Sequence, residues 1–360
     1  MAPSKRIVEL DCIRGITAFI VVFFHFSSGT TLFPYFRLFA GGTDLFFIIS
    51  GFVGYNLLRS NPNVGEYSLK RFIRLIPMFW ICASLTFGCM FLYNLKHGVP
   101  VEALVLQYFS NLSFLNYFQE IPFLDGVYWT LLIEVLFYAV LALILWCKGE
   151  RYVEWGGALI LGYLLITSMF PLGSFTLTHE ATVNGFPLLI VWPSFYAGII
   201  FNKIKYDQPS AWRWILIGLC LLTSILSISN SHTIHGVVNY LSPAENVGMT
   251  VLYFLVFYLA INSYVPFFIN KASLFLAQIS YCLYLVHNEI GRLFVQPKLK
   301  LLPVFWQILL MTGCVLVVAY VLSYFIEKPL LKKLHIKLFV ANRESTEKSQ
   351  VHQRNPELTL

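Results

Sequence analysis

Apolar runs of about twenty residues recur along nearly the whole chain, separated by short stretches rich in charge, glycine or proline. They lie at approximately 14–30, 42–59, 75–95, 127–147, 155–171, 186–202, 211–229, 247–269, 273–295 and 303–326. A bilayer core about 30 Å thick takes about 20 residues of α-helix, and a helix satisfies its own backbone there. The pattern therefore predicts an all-α integral membrane protein with about ten transmembrane helices. One stretch fits poorly: Glu102, Gln107, Asn111 and Asn116 interrupt the segment from Pro100 to Phe118, which reads as an interfacial or re-entrant piece. Were it to span, the topology beyond it would invert. Residues 1–337 read as one transmembrane domain, and 338–360 as a polar, aperiodic and disordered cytoplasmic tail. No internal repeat is visible.

Composition agrees with the pattern: 58% of residues are apolar, 12% are charged, and the mean hydropathy is +0.70, far from soluble averages. Charge then orients the chain, because short cytoplasmic loops hold the excess of Lys and Arg. With both termini cytoplasmic, that side receives Lys5, Arg6, Arg14, Arg59, Lys70, Arg71, Arg74, Lys148, Arg151, Lys203, Lys205, Arg213, Lys271 and seven residues from Lys328 to Arg354. The other side keeps only Arg37, Lys96, Arg292, Lys298 and Lys300, and the loops 171–185 and 230–246 have none. The formal net charge of +7 is thus mostly a topology signal, and no nucleic-acid partner is expected. The first segment has the basic start of a signal peptide, but Asp11, Arg14 and His25 do not suit an apolar h-region. Seven cysteines, Cys12, Cys82, Cys89, Cys147, Cys220, Cys282 and Cys314, form no close pairs, so neither a disulfide framework nor a metal site is expected.

Candidate chemistry lies in the few ionisable residues within apolar runs, since such groups are costly there and tend to mark sites. In LDCIRGITAFIVVFFHFSSG, Arg14 and His25 are eleven residues apart. At about 100° and 1.5 Å per residue that is close to three whole turns, so both lie on one helix face, about 16 Å apart. Asp44 opens the second run in GGTDLFFIISGF, and Glu134 lies two turns into the fourth in VYWTLLIEVLFY. Both runs start on the outer side, the depth His25 reaches from below, so either carboxylate could bind one imidazole nitrogen and raise the basicity of the other. The plainer readings are a helix cap for Asp44 and a buried structural hydrogen bond for Glu134. His287, in QISYCLYLVHNEIGRLF, suits the same cavity or a helix-packing bond equally well. In KRFIRLIPMFW, Arg71 and Arg74 lie one turn apart, where two guanidiniums can grip a phosphate or serve as ordinary positive-inside anchors. Pro77, one turn on, could loosen the backbone there.

Six segments in order, LDCIRGITA with His25, GTDLFFIISGF, RFIRLIPMFW, YWTLLIEVLFY, ISYCLYLVH and FIEKPL, make the chain resemble the acyltransferase-3 family of bacterial membrane acyltransferases, which modify sugars on lipopolysaccharides, exopolysaccharides and related glycans. The resemblance runs from Leu10 to about Lys333. It implies ten spans in the bacterial inner membrane, essential roles for Arg14 and His25, and acyl-CoA engagement by Arg71 and Arg74. Cys12 and Val135 depart mildly from the family pattern. Asn288 and Glu289 replace an aromatic and a proline after His287, which leaves any inherited role of that helix open. No esterase-like domain follows, so all chemistry is expected from the membrane part.

The implied reaction is O-acyl transfer from cytoplasmic acetyl-CoA, the donor substrate, to a hydroxyl of a cell-surface glycan, lipid-linked or free. No metal is needed. Arg14, Arg71 and Arg74 would bind the CoA phosphates at the inner rim, and the thioester would lie near His25, about 16 Å outward. His25, oriented by Asp44 or Glu134, would act as general base or as an acyl-carrying nucleophile; Tyr128, Trp129 and Ser50 are candidate oxyanion donors. Two other classes remain open. The same buried groups suit a proton-coupled transporter or flippase, although no repeat with matched broken helices is present, and a structural partner of a polysaccharide synthase would not need them.

Overall fold

The computed structural model describes residues 7–60, 63–169, 185–230, 233–234, 237–238 and 240–340. Eleven helices carry the described fold: α1 (Val8–Ser27), α2 (Gly42–Ser60), α3 (Val64–His97), α4 (Glu102–Leu112), α5 (Trp129–Trp146), α6 (Val153–Met169), α7 (Trp192–Tyr206), α8 (Ala211–Asn230), α9 (Pro243–Ile261), α10 (Lys271–Ile290) and α11 (Val304–Val321). Among the described residues, strand is confined to a two-residue hairpin, Thr233–Ile234 with Val237–Val238. The protein is an all-helical, multi-pass membrane protein.

The ten expected spans fall on the ten long helices. By length and apolar content, eight helical stretches can cross a membrane: Val8–Ser27, Phe33–Ser60, Val64–His97, Gly126–Trp146, Glu150–Met169, Pro187–Tyr206, Pro243–Ile261 and Val304–Leu338. The other two, α8 and α10, are 20 residues long, but α10 carries Gln278, Ser280, His287, Asn288 and Glu289. These polar side chains lower its apolarity. The interrupted stretch 100–118 forms α4, of 11 residues, about 16 Å long and roughly half the depth of a bilayer core. The expected tail, 338–360, begins inside a π-helical turn, Ile336–Val340; residues 341–360 and most of the loop 171–185 lie outside the described residues.

Local chemistry sets several boundaries. α1 begins at Val8 rather than at Arg14, so Arg14 stands almost two turns inside the helix. The 34-residue α3 starts at Asn63, whose side chain accepts from the backbone N–H groups of Gly65 and Glu66, and stops at Gly98, whose positive φ of 65° favours glycine. Pro77 does not end it; Tyr281 donates to the Leu75 carbonyl at 2.7 Å near the bond that proline removes. Beyond α11 the chain runs through a π-helical turn, Leu322–Glu327, into Lys328–His335. Turns of this kind break the regular register and cluster at functional sites.

Lipid offers helices no hydrophobic drive to associate, so small residues that let backbones meet carry the packing. The most extensive pairings are α1 with α10 and α2 with α7. A Cβ on Gly15 would lie 2.3 Å from the Ala277 nitrogen, and near the other end of the same pairing a Cβ on Gly291 would lie 2.4 Å from the Phe26 ring. Between α2 and α7, a Cβ on Gly51 would meet the Phe195 carbonyl oxygen at 2.1 Å, and one on Gly198 the Ile48 carbonyl oxygen at 2.1 Å. Gly51→Ala and Gly198→Ala are each expected to cost about 1–3 kcal/mol through overpacking, read as earlier thermal unfolding in detergent. Gly88→Ala, where an added Cβ meets nothing within 4 Å, is expected to leave unfolding unchanged or slightly later.

Candidate active site

A cavity of about 110 Å³ opens between α1, α2, α3, α5 and α10, with room for several waters. Arg14, Arg71, Arg74 and Glu134 all line it, together with Ser50, Tyr138, Tyr281 and Tyr284. Sequence spacing alone put Arg71 and Arg74 together; the fold adds Arg14 from another helix. The three guanidiniums are held differently. Arg74 is engaged by Glu327 of the π-helical turn, at 2.8 Å, and lies over the Tyr281 ring. Glu327 is itself bound by Ser323 Oγ at 2.9 Å and Cys282 Sγ at 3.3 Å. Arg71 donates to the Val53 carbonyl at 3.0 Å and lies over the Tyr138 ring, 4.6 Å from its centroid. Arg14 reaches Asp11 at 3.3 Å. The Nε–H groups of Arg14 and Arg71 are buried without a hydrogen-bond partner among the described residues, two open donors in a basic cavity.

His25 lies at the other end of α1, among other groups. Its ring centroid is 5.1 Å from that of His287 and 5.0 Å from that of Phe24, and its backbone carbonyl accepts from Arg292 at 2.6 Å. His287 is fully buried. Around it α10 is tied to the start of α5: Tyr284 Oη pairs with Thr130 Oγ1 at 2.8 Å, and Tyr128 Oη donates to the Leu285 carbonyl at 3.1 Å. Asp125, in the loop before α5, accepts from Asn288 Nδ2 at 2.9 Å and the Glu289 amide at 3.0 Å. Burial pushes its carboxyl above the usual carboxylate range, and these donors partly offset the push. Tyr284 lines the arginine cavity and its ring lies 5.8 Å from that of His287, so it stands between the two polar regions.

The structure corrects the expected partners of His25. Glu134 Oε1 accepts from Ser50 Oγ and Tyr138 Oη, both at 2.8 Å, so Glu134 belongs to the arginine cavity. Asp44 sits in the first turn of α2, where a carboxylate suits the helix dipole, and bonds Ser194 of α7. Among the described residues neither carboxylate touches His25; an imidazole does. Of the suggested oxyanion donors, Ser50 is taken up by Glu134 and Tyr128 by α10. Sequence reasoning gave no role to Glu327, although FIEKPL displays it, and counted Arg292 only as an outer-side charge. The two motif arginines are expected to differ in stability. Arg74→Ala leaves Glu327 buried without its cation and should cost about 3 kcal/mol or more, whereas Arg71→Ala, which removes one carbonyl bond and a ring contact, should cost about 1 kcal/mol. Thermal unfolding in detergent, with the Arg74→Ala/Glu327→Ala pair less destabilised than Arg74→Ala alone, checks this.

The chain matches the acyltransferase-3 family, described as an acyltransferase domain, over residues 7–325. It is 28% identical over 299 residues, 79% of this chain and 82% of the relative, to a protein of Acidianus two-tailed virus named "Putative acetyltransferase ORF330". No solved structure matches. A family match over nearly the whole described membrane fold makes this chain a member of the acyltransferase-3 family and a membrane acyltransferase.

Proposed function

We propose that the protein is an acyl-CoA-dependent O-acyltransferase of the bacterial inner membrane that moves an acetyl group from cytoplasmic acetyl-CoA to a hydroxyl of a cell-surface glycan, such as lipopolysaccharide O-antigen or exopolysaccharide. The observation that carries the reading is the cavity in which Arg14, Arg71 and Arg74 meet, two of them with buried, unpaired Nε–H groups. Such donors suit phosphate oxygens, and guanidiniums bind them with charge-assisted bonds. His25 lies about 16 Å further along the same face of α1, a separation that a pantetheine arm can bridge. The name of the viral relative supports acetyl as the group transferred.

In this reading His25 takes the proton of the acceptor hydroxyl while its oxygen attacks the thioester carbonyl. The carbon–sulfur bond breaks, the CoA thiolate leaves with the electron pair, and the proton returns to it from His25. An acyl-histidine route reaches the same products in two steps, with the imidazole nitrogen as first nucleophile. Glu134, held by Ser50 and Tyr138, stays with the arginines and balances part of their charge.

The test is release of free CoA from acetyl-CoA by the purified protein in lipid, with crude lipid-linked glycan supplied as acceptor. Release is expected to rise with glycan and to fall at least about 100-fold in His25→Ala, the scale of a lost general base. Arg71→Ala is expected to raise the KM for acetyl-CoA about tenfold or more, since a charge-assisted bond is worth about 1.5–3 kcal/mol. Absence of release from any short acyl-CoA, by folded protein, would overturn the donor assignment and favour a proton-coupled transporter using the same buried groups.

A further inference from the structure

We infer that His287 is the positioning residue for His25: its Nε2 accepts a hydrogen bond from one ring nitrogen of His25 and leaves the other ring nitrogen as the base. The argument begins with the tautomer. Nδ1 of His287 faces two backbone carbonyl oxygens of its own helix, Tyr284 at 2.9 Å and Leu283 at 3.2 Å. Two acceptors around one nitrogen require it to carry the proton. Nε2 is therefore a bare acceptor.

That acceptor is buried and has no partner among the described residues, while His287 is 0% exposed. A histidine kept only for packing would have both nitrogens satisfied, because an open buried acceptor costs about 1–3 kcal/mol. The neighbouring ring is that of His25, with ring centroids 5.1 Å apart. A ring nitrogen lies about 1.1 Å from its ring centre, so nitrogens turned toward each other would be about 2.9 Å apart, a normal hydrogen-bond length. In the structure the rings are tilted by 56° and His287 Nε2 has no partner among the described residues, so the inference requires the His25 side chain to turn toward it.

The surroundings hold the backbones that carry the two rings. Arg292 holds the His25 carbonyl, and Gly291 against Phe26 sets the spacing of the two helices beside the pair. Thr130 and Tyr128 tie α10 to the start of α5 at Tyr284 and Leu285, next to the carbonyls that set the tautomer. The resulting chain, carbonyl to His287 to His25, has the base–orienter logic of a catalytic triad with an imidazole where a carboxylate usually stands.

The catalytic half of this inference rests on the acyltransfer reading; the geometric half does not. In protein labelled with 15N-histidine, a coupling across an N–H···N hydrogen bond is expected between His287 Nε2 and one ring nitrogen of His25, and it should vanish in His287→Gln. Its absence in the wild type overturns the inference, whatever the protein catalyses. In the CoA-release assay, His287→Leu is expected to lower kcat about 100-fold, the scale of losing a group that orients a functional imidazole, with the KM for acetyl-CoA changed less than about threefold. His287→Gln, whose amide oxygen can accept near the Nε2 position, is expected to recover to within about tenfold of wild type. A His287→Leu kcat equal to wild type, or a His287→Gln kcat as low as that of His287→Leu, also overturns it. A wild type that releases no CoA defeats the functional reading and leaves the coupling as the deciding measurement.

Discussion

The close crossing of α1 and α10 governs everything that this protein brings together. In a bilayer two apolar helices gain little by leaving lipid for each other, so a tight pairing has to come from surfaces that fit. Here the fit is made by absent side chains: Gly15 admits the Ala277 backbone at one end, and Gly291 admits the Phe26 ring at the other. With both ends seated, α10 cannot slide or rotate against α1. The polar residues between them, Arg14 and His25 on one helix and Tyr281, Tyr284 and His287 on the other, are thereby fixed in a common register. A polar site inside lipid needs such rigidity, since misplaced groups there have no water to fall back on.

Much of this organisation was written in the pattern of the chain, and some was not. Apolar runs located the long helices because span length is a property of each segment alone. The eleven-residue spacing of Arg14 and His25, and the one-turn spacing of Arg71 and Arg74, survived for the same reason: they are facts about single helices. What failed was inference across helices. Glu134 and Asp44 were placed near His25 by depth, but depth does not say which neighbour a side chain faces. Glu134 turns toward Ser50 and Tyr138, and Asp44 toward Ser194. Glu327 went unassigned because its reach to Arg74 depends on a π-helical turn, an irregularity that a 3.6-residue period does not encode. His287 gave a real but ambiguous signal, since an imidazole in an apolar run reads the same whether it packs or orients.

The polar interior divides into two regions of different character. The cavity side is ionic, with three guanidiniums and Glu134 in one pocket and Glu327 pairing Arg74 from behind. The His25 side pairs two imidazoles, with Arg292 on the His25 carbonyl and Asp125 on Asn288 and the Glu289 amide nearby. Tyr284 belongs to both. For the proposed acyl transfer such a division is apt: the arginine end would hold the part of the donor that does not react, and the imidazole end would host the bond that does. Interactions with the unreacting part then supply orientation to the reacting centre.

Arg74 never waits empty-handed. Its guanidinium already holds the carboxylate of Glu327, which is in turn gripped by Ser323 and Cys282. In the proposed reaction an incoming phosphate would have to share or displace that internal tenant, so part of its attraction would be cancelled before it arrives. Weakened capture would also be hastened departure: on the proposed reading, when the spent carrier has to go, Glu327 would reclaim the arginine and spare the protein the slow escape that three free guanidiniums would impose on every cycle.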